Sequence, residues 1–423
     1  IHIPAGLWTL ATPLVLDAAI RIEGAGASNA NGAYGATSTR ILYSGTGVAI
    51  TLDGTGANGK QNIHLSNFIL TGTVAATGGI LLGLTTNVNT CSIKNVEVEL
   101  FTKVNAYGLC FQQCYLSTFE QVLARENYNG FLIGVTGHSN TTLTFTDCQA
   151  RSNYHLGWNI KQLTNGLFNQ CLAESNDNNG LAIQANGATD VVDALTFYNW
   201  HSEANLGNSH GYGTLGNATI YITGGATRIR MLGGYVSDLV AGVKAFDLDN
   251  VQVSYFGGMS FSGGAENSGF MTVSVNTISC VYEALDPTVT TAYITGYASG
   301  RIRLLLSRSG TYTPSLYNTT NIAASTARLC TYVRVDDMVT VSGLFDVTPT
   351  AGAPTVSLLG MSLPVASAFT SGFELGGTGC TDTTASNPMN IAADSVNDRA
   401  SINWRASSTA AQTCSFQFSY RIV

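Results

Sequence analysis

Eight segments of this chain can be laid on one another in register. They are headed by Leu65, Ile93, Phe119, Phe145, Phe168, Phe197, Ile229 and Val253, which follow at intervals of 23 to 32 residues, about 27 on average. Three residues further on runs a second apolar column: Phe68, Val96, Val122, Cys148, Cys171, Trp200, Leu232 and Phe256. Two more residues bring a column of small or aliphatic side chains: Leu70, Val98, Ala124, Ala150, Ala173, Ser202, Gly234 and Gly258. A period of roughly 20 to 50 residues marks units that cannot bury their apolar face alone and must stack on their neighbours. Within a unit the alternation is that of a strand, with Ile93, Val96 and Val98 facing in and Lys94, Glu97 and Glu99 facing out. No helical period intervenes, so the expected fold is all-β, a solenoid of parallel strands.

Composition agrees with short strands and tight turns. Charged residues are 11% of the 423, against about 25% in an average soluble protein, and 46 glycines help to fill the gap. With 45% hydrophobic residues the chain is not disordered, and no apolar run reaches the roughly 20 residues of a spanning helix, so membrane insertion is not expected. A net charge of −7 without any basic run argues against nucleic acid as a partner. Nine cysteines, an odd number spread over a long chain, do not form a disulfide framework, and Cys148 and Cys171 read as small buried hydrophobes. No spacing of zinc-ligand type occurs, and neither a metal nor a cofactor is expected. From about Ser309 the register is lost and hairpin-like runs appear, punctuated by Pro314, Pro349, Pro354, Pro364 and Pro388. The expected division is a solenoid over residues 1–308, carrying the functional site, and a β-sandwich over 309–423, serving trimerisation or carbohydrate binding.

Three features of the coils bear on function. Asn127, Asn153, Asn176 and Asn205 fall in one turn column, where stacked amides can bond along the axis. Two coils carry extra length, at residues 184–195 and 204–219, and such insertions map to surface loops. Beside the apolar columns runs an outward one: Thr71, Glu99, Arg125, Arg151, Glu174, Glu203, Tyr235 and Met259. Five successive charges in a chain this poor in charge read in two ways. One is an electrostatic ladder on a solvated face, with Arg151 neutralising Glu174. The other is a saccharide groove with Glu174 and Glu203 as paired catalytic carboxylates one coil apart, near the roughly 5 Å spacing of retaining glycosidases, where mutual repulsion keeps one protonated. In that reading Arg125 and Arg151 hold an acidic sugar or carboxylate substituent. Asp177, Asp190 and Asp193 are reserve candidates for the acid, and His201 faces outward where it can assist. Tyr128 and Tyr154, which follow the turn asparagines, are placed to meet a ligand, with His155 and Tyr212 as further candidates. Trp158 and Trp200 fall in inward columns and read as core.

The sequence resembles the tailspike depolymerases of tailed bacteriophages, members of the pectate-lyase-like superfamily, and is placed nearest the capsule-degrading spikes of Acinetobacter phages. Ile3-Pro4-Ala5-Gly6-Leu7-Trp8-Thr9-Leu10 is similar to the opening coil of such spikes, and the ladder from Leu65 to Val253 to their body. The tail resembles their C-terminal sandwich at residues 332–343, at 362–367 and in the closing Phe416-Gln417-Phe418-Ser419-Tyr420-Arg421-Ile422. The resemblance implies a right-handed parallel β-helix, a homotrimer, and an endo-acting depolymerase of bacterial capsular or surface polysaccharide. It also implies a place on the virion tail, action outside the host cell, and attachment to the baseplate or tail through an N-terminal domain that is missing here, the chain starting at Ile1-His2-Ile3 without methionine. Catalytic residues vary across the family, so no site residue carries over from it. Hydrolysis by Glu174 and Glu203 is the expectation. The alternatives are a lyase using Arg125, Arg151, His201 or Tyr154 around a uronic acid, and a non-catalytic adhesin or receptor-binding fibre.

Overall fold

The structure is a computed structural model that describes residues 1–27, 37–53, 60–135, 137–185, 191–206, 218–238, 244–263, 271–274, 277, 279–284, 294–295, 302–335, 337–352, 355–382 and 387–422. The chain divides into two compact units, Ile1–Arg303 and Leu304–Val423. The boundary expected after residue 308 lies inside the strand Ile302–Tyr312.

In the first unit each coil contributes one to three strands to one parallel sheet and a single short strand to a second. The longer strands include His64–Thr71, Ser92–Glu99, Cys114–Arg125 and Thr196–Glu203. Among the described residues the second sheet stacks eleven short strands, including Gly78–Leu82, Tyr107–Phe111, Asn129–Ile133, Trp158–Ile160 and Leu181–Gln184. Like residues stack on like inside. Leu65, Ile93, Phe119, Phe145, Phe168 and Phe197 pair in unbroken succession, as the period predicts. The rings of Phe119, Phe145, Phe168 and Phe197 lie face to face at 4.8, 4.9 and 4.5 Å. Trp158 stacks on Phe131 at 3.9 Å, and both it and Trp200 are fully buried, so they belong to the core. Cys148 and Cys171 are buried and unbridged.

The last two coils depart from the expected register. Phe197 pairs with Met231 rather than Ile229, and Met231 pairs with Phe256 rather than Val253. Ile229 is still buried, but two residues earlier in the coil, where its N–H donates to Ser254 Oγ at 3.1 Å. Val253 sits at a corner, with φ of 47° and 61% exposure. The same corner is turned by Asn62, Thr90, Leu116, Thr142, Asn165, Ala194 and Arg228, each in the left-handed region. Apolar residues stand at this corner as well as inside, so hydrophobicity alone does not fix the frame. The slip has a consequence outside: Glu203 pairs with Ser237 and not with Tyr235, and Tyr235 pairs with His201.

The asparagine column is a buried hydrogen-bonded ladder. Asn127 N–H donates to Asn153 Oδ1 at 3.1 Å, Asn153 N–H to Asn176 Oδ1 at 3.1 Å, and Asn176 N–H to Asn205 Oδ1 at 3.2 Å. The side-chain amides of Asn153, Asn176 and Asn205 donate back to Ala124, Ala150 and Ala173 carbonyls. Each amide thus satisfies backbone groups that the corner leaves without a strand partner.

The second unit is antiparallel. Met338–Pro349 pairs with Gln412–Arg421, and from there the order runs Leu375–Thr381, Pro388–Asp394, Arg399–Ala406, Thr355–Met361 and Leu316–Thr320. On its other side Met338–Pro349 pairs with Ile322–Ala327 and Cys330–Val335. Only Asn321 separates Thr320 from Ile322, so strands at opposite edges are neighbours in the chain and the sheet curls. Its layers face each other across an apolar core that includes Phe345, Leu359, Ile391, Trp404, Phe416 and Phe418.

Candidate functional site

The outward file forms as drawn through six coils. Thr71, Glu99, Arg125, Arg151, Glu174 and Glu203 are successive Cα partners on parallel strands, spaced about 4.8 Å apart. It falls into two halves of different character.

The first half is closed on itself. Glu97 and Glu99 are 2% and 1% exposed. Arg125 Nε donates to Glu97 at 2.5 Å, its Nη2 to Glu99 at 2.6 Å and its Nη1 to Glu126 at 2.9 Å. Thr71 Oγ1 and Arg40 Nη2 also donate to Glu99, at 2.8 and 3.1 Å. Burial pushes the Glu99 carboxyl up, against the hydrogen bond from Thr71 and the charge of Arg125, which pull it down. Arg125, expected to hold a ligand carboxylate, is instead shared among three carboxylates of its own chain.

The second half is open. Arg151 Nη2 lies 2.7 Å from Glu174 Oε2 and donates to Oε1 at 2.9 Å, with both side chains about one-third exposed. This is the ion pair that a plain electrostatic ladder also predicts. Glu203, next in the file, has a different neighbour: its Oε2 is 3.0 Å from His201 Nε2, and each side chain is about two-fifths exposed. The His201 ring stands edge-on to Tyr235, centroids 5.3 Å apart. Arg151, Glu174, Glu203, His201 and Tyr235 are thereby gathered on one face. Two carboxylates with unlike partners, one against a guanidinium and one against an imidazole, are a suitable pair for acid and base roles.

A groove of about 410 Å³ opens beside Arg151, lined by Asn95, Glu97, Gln121, Leu123, Asp147, Gln149 and Gln170 together with Ala27, Val96 and Val122. Glu174 and Glu203 do not line it; Arg151 is the residue common to groove and file. Asn95, Gln121, Asp147 and Gln170 all stand at one bend of successive coils, in the left-handed region at φ of 51–55°. Asn and Asp tolerate that backbone, which accounts for Asn95 and Asp147 but not for the two glutamines. The result is a row of hydrogen-bonding groups running along the axis. Sequence reading missed this row although its signal is plain: Asn, Gln or Asp occupies the position two after the ladder residue in six successive coils, Asn67 to Asn199.

The remaining candidates lie elsewhere. Asp193 is held at a corner by Arg228 and Thr227, with Arg228 Nε donating at 2.8 Å and Thr227 Oγ1 at 2.6 Å. The Arg228 contact keeps its carboxyl below the usual range, which unsuits it to donate a proton. Tyr128, Tyr154, His155 and Asp177 follow the asparagine ladder, around the corner from the file; Tyr154 N–H donates to Asn127 and Asp177 N–H to Asn153. Tyr128 is 6% exposed with its ring stacked on His155 at 4.9 Å, so its face is already covered. Burial, and then Lys161, hold the His155 imidazole below its ordinary value. Asp190 and Tyr212 lie outside the described residues.

No family model and no curated protein sequence matches the chain. Solved structures do. The enzymatically active domain of tailspike protein 2 of bacteriophage CBA120 is similar over 99% of this chain and 72% of its own, at 13% identity and a TM-score of 0.50. A tailspike of Acinetobacter phage AS12 is similar over 96% of this chain and 76% of its own, at 13% identity and a TM-score of 0.48. A DFA-IIIase of Arthrobacter chlorophenolicus, without its lid, is similar over 72% of this chain and 87% of its own, at 12% identity and a TM-score of 0.48. At such identity the likeness is one of fold: the chain has the β-helical fold of a phage tailspike's enzymatic domain.

Proposed function

We propose that this chain is the body of a phage tailspike, acting as a homotrimer at the host surface, that binds a bacterial capsular or surface polysaccharide and cleaves it by endo-glycosidic hydrolysis. The observation that carries the reading is the pairing of Glu174 with Glu203 in one exposed file, one coil apart, next in that file after Arg151, which lines a groove of amide and acid side chains. Tailspike fold supports it as context, since fold alone does not specify chemistry.

Roles follow from the partners. Glu174, lying against Arg151, acts as the charged carboxylate, nucleophile or base. Glu203, in contact with His201, acts as the general acid. Strand spacing near 4.8 Å favours the close geometry in which the glycosyl unit is transferred to a carboxylate and then to water with retention. The polar row from Asn95 to Gln170 accepts successive sugar units along the axis. Glu174→Gln and Glu203→Gln are each expected to lower the rate of reducing-end release from purified capsule by about 10²–10⁴-fold while the protein melts as before. Full activity in both variants would remove the assignment.

A second reading rests on the meeting of Arg151, His201 and Tyr235 on the same face. Those groups suit β-elimination from a uronate, with Arg151 on the carboxylate and His201 or Tyr235 moving the proton. Ultraviolet absorbance of an unsaturated product separates the two chemistries, and polymer length unchanged by the protein would leave only an adhesin.

A further inference from the structure

The second unit carries a cleft that the catalytic reading does not use. It measures about 350 Å³ and is lined by Tyr317, Ser362, Leu363, Ala366, Asn397, Asp398 and Arg399. One of its lining residues, Arg399, lies over a glycine. On the outer face of the sheet Gly360 pairs with Tyr317 on one side and Ser401 on the other. A Cβ at Gly360 would stand 2.7 Å from Arg399 Nε and 2.8 Å from its Cζ, so only glycine lets the guanidinium lie flat across the strand. Arg399 thereby reaches the Tyr317 ring, with Cζ 4.7 Å from the centroid, and Tyr317 is 45% exposed.

The polar groups around this pair are oriented and only partly used. Arg399 Nε donates to Asp394 Oδ2 at 2.8 Å, and among the described residues no acceptor meets its two terminal nitrogens. Asn397 Nδ2 donates to both Asp394 oxygens, at 3.1 and 2.9 Å, which leaves its carbonyl as an acceptor. Asp398 Oδ1 accepts from Phe369 N–H at 2.8 Å, with no donor to Oδ2 among the described residues. Ser362 Oγ accepts from Ser315 N–H at 2.8 Å and keeps its own proton to give. Donors and acceptors therefore alternate around an apolar floor of Leu363, Ala366 and the Tyr317 edge. Asp394 already balances Arg399, and Asp398 adds a further negative charge, which disfavours an anionic ligand.

From this we infer that the cleft is a second, non-catalytic saccharide site for an uncharged sugar unit, one whose ring covers the apolar floor while its hydroxyls meet Arg399, Asp398, Asn397 and Ser362. Such a site would keep the spike on its polymer between cuts.

The full chain is tested by biolayer interferometry against immobilised, purified bacterial polysaccharides, one set with neutral repeat units and one containing uronic acid. The expected result is retention on at least one neutral polymer, weakened about tenfold by Tyr317→Ala and by Arg399→Lys. The exposed Tyr317 is the safeguard should Arg399→Lys disturb folding, and an unchanged melting temperature qualifies each variant. Tyr317→Ala binding as well as the parent, retention confined to uronate polymers, or no neutral polymer held would overturn the proposal. The outcome is separable from hydrolysis: a chain that holds polymer through Tyr317 without cutting it defeats the hydrolytic reading alone, and one that cuts but is indifferent to Tyr317→Ala defeats this one alone.

Discussion

Asp193 and Glu174 are both carboxylates on neighbouring coils, and what separates them is the cation each meets. Glu174 keeps to the outward file beside Glu203, whereas Asp193 is taken at the opposite end of the coil by Arg228. No feature of the local sequence marks this, because the residue that claims Asp193 lies 35 positions away across an insertion. The capture has a pH signature. The Arg228 hydrogen bonds depress the folded-state value of Asp193, with burial opposing and Thr227 assisting. Stability from a depressed carboxyl is present above its unfolded value of about 3.9 and is lost as pH falls through the lower folded one. Asp193→Asn is therefore expected to lower the melting temperature near neutrality, with the gap to the parent closing as the medium is taken to about pH 3. Thermal melts over that range check it; a gap constant with pH would detach the pair from stability. The proposed depolymerase activity should be unaffected, in contrast to Glu174→Gln.

Among the elements, the corner ladder is where the fold has least tolerance. Asn153 accepts the Asn127 N–H and returns its own amide to Ala124, and Gly157 packs beneath the next amide, so that a Cβ there would lie 2.7 Å from Gly180 O and 2.8 Å from Asn176 Nδ2. Asn153→Ala strands a buried N–H and a buried carbonyl, at about 1–3 kcal/mol for each unsatisfied group. Gly157→Ala meets backbone that cannot withdraw, for about 1–3 kcal/mol of overpacking. Both should lower the denaturation midpoint clearly, while Ser152→Ala, exposed at the same corner, should not. Equal midpoints for Asn153→Ala and Ser152→Ala would mean that the ladder does not hold the corner. This column was legible in the sequence because asparagine is chemically distinctive at a turn. The strand frame was legible only as far as its residues were distinctive: four successive phenylalanines, preceded by Leu65 and Ile93, fixed six coils, but Ile229 and Val253 offered apolar side chains at the wrong step, so hydrophobicity alone could not place the last two. The file of Arg151, Glu174 and Glu203 was predicted because it lies ahead of that slip; the contact between His201 and Tyr235 was not, because it depends on the slip.

For the molecule as a whole, what the sequence conveyed was the change of architecture after the solenoid, where the period ends and prolines and hairpin patterns begin. It did not convey the closure of the second unit, which depends on pairing between Thr320 and Leu358 and between Ile322 and Pro349, strands whose partners lie far along the chain. Asn321 joins the two edges with φ of 56°, its amide donating to Ala351 O at 3.1 Å and Ser357 Oγ at 2.9 Å, and its carbonyl accepting from Ala351 N–H at 2.7 Å. A sheet whose two ends are joined through one residue curls around a core of its own. Residues 304–423 should therefore fold when expressed alone. Trp404, buried at 2% exposure, is the tryptophan within that range and reports the outcome directly. Blue-shifted emission that moves to the red in one cooperative step with denaturant is expected, and Asn321→Ala should shift that step to lower denaturant by freeing the edge connection. A gradual red shift with no transition would show instead that the curled sheet depends on residues before 304 for its core.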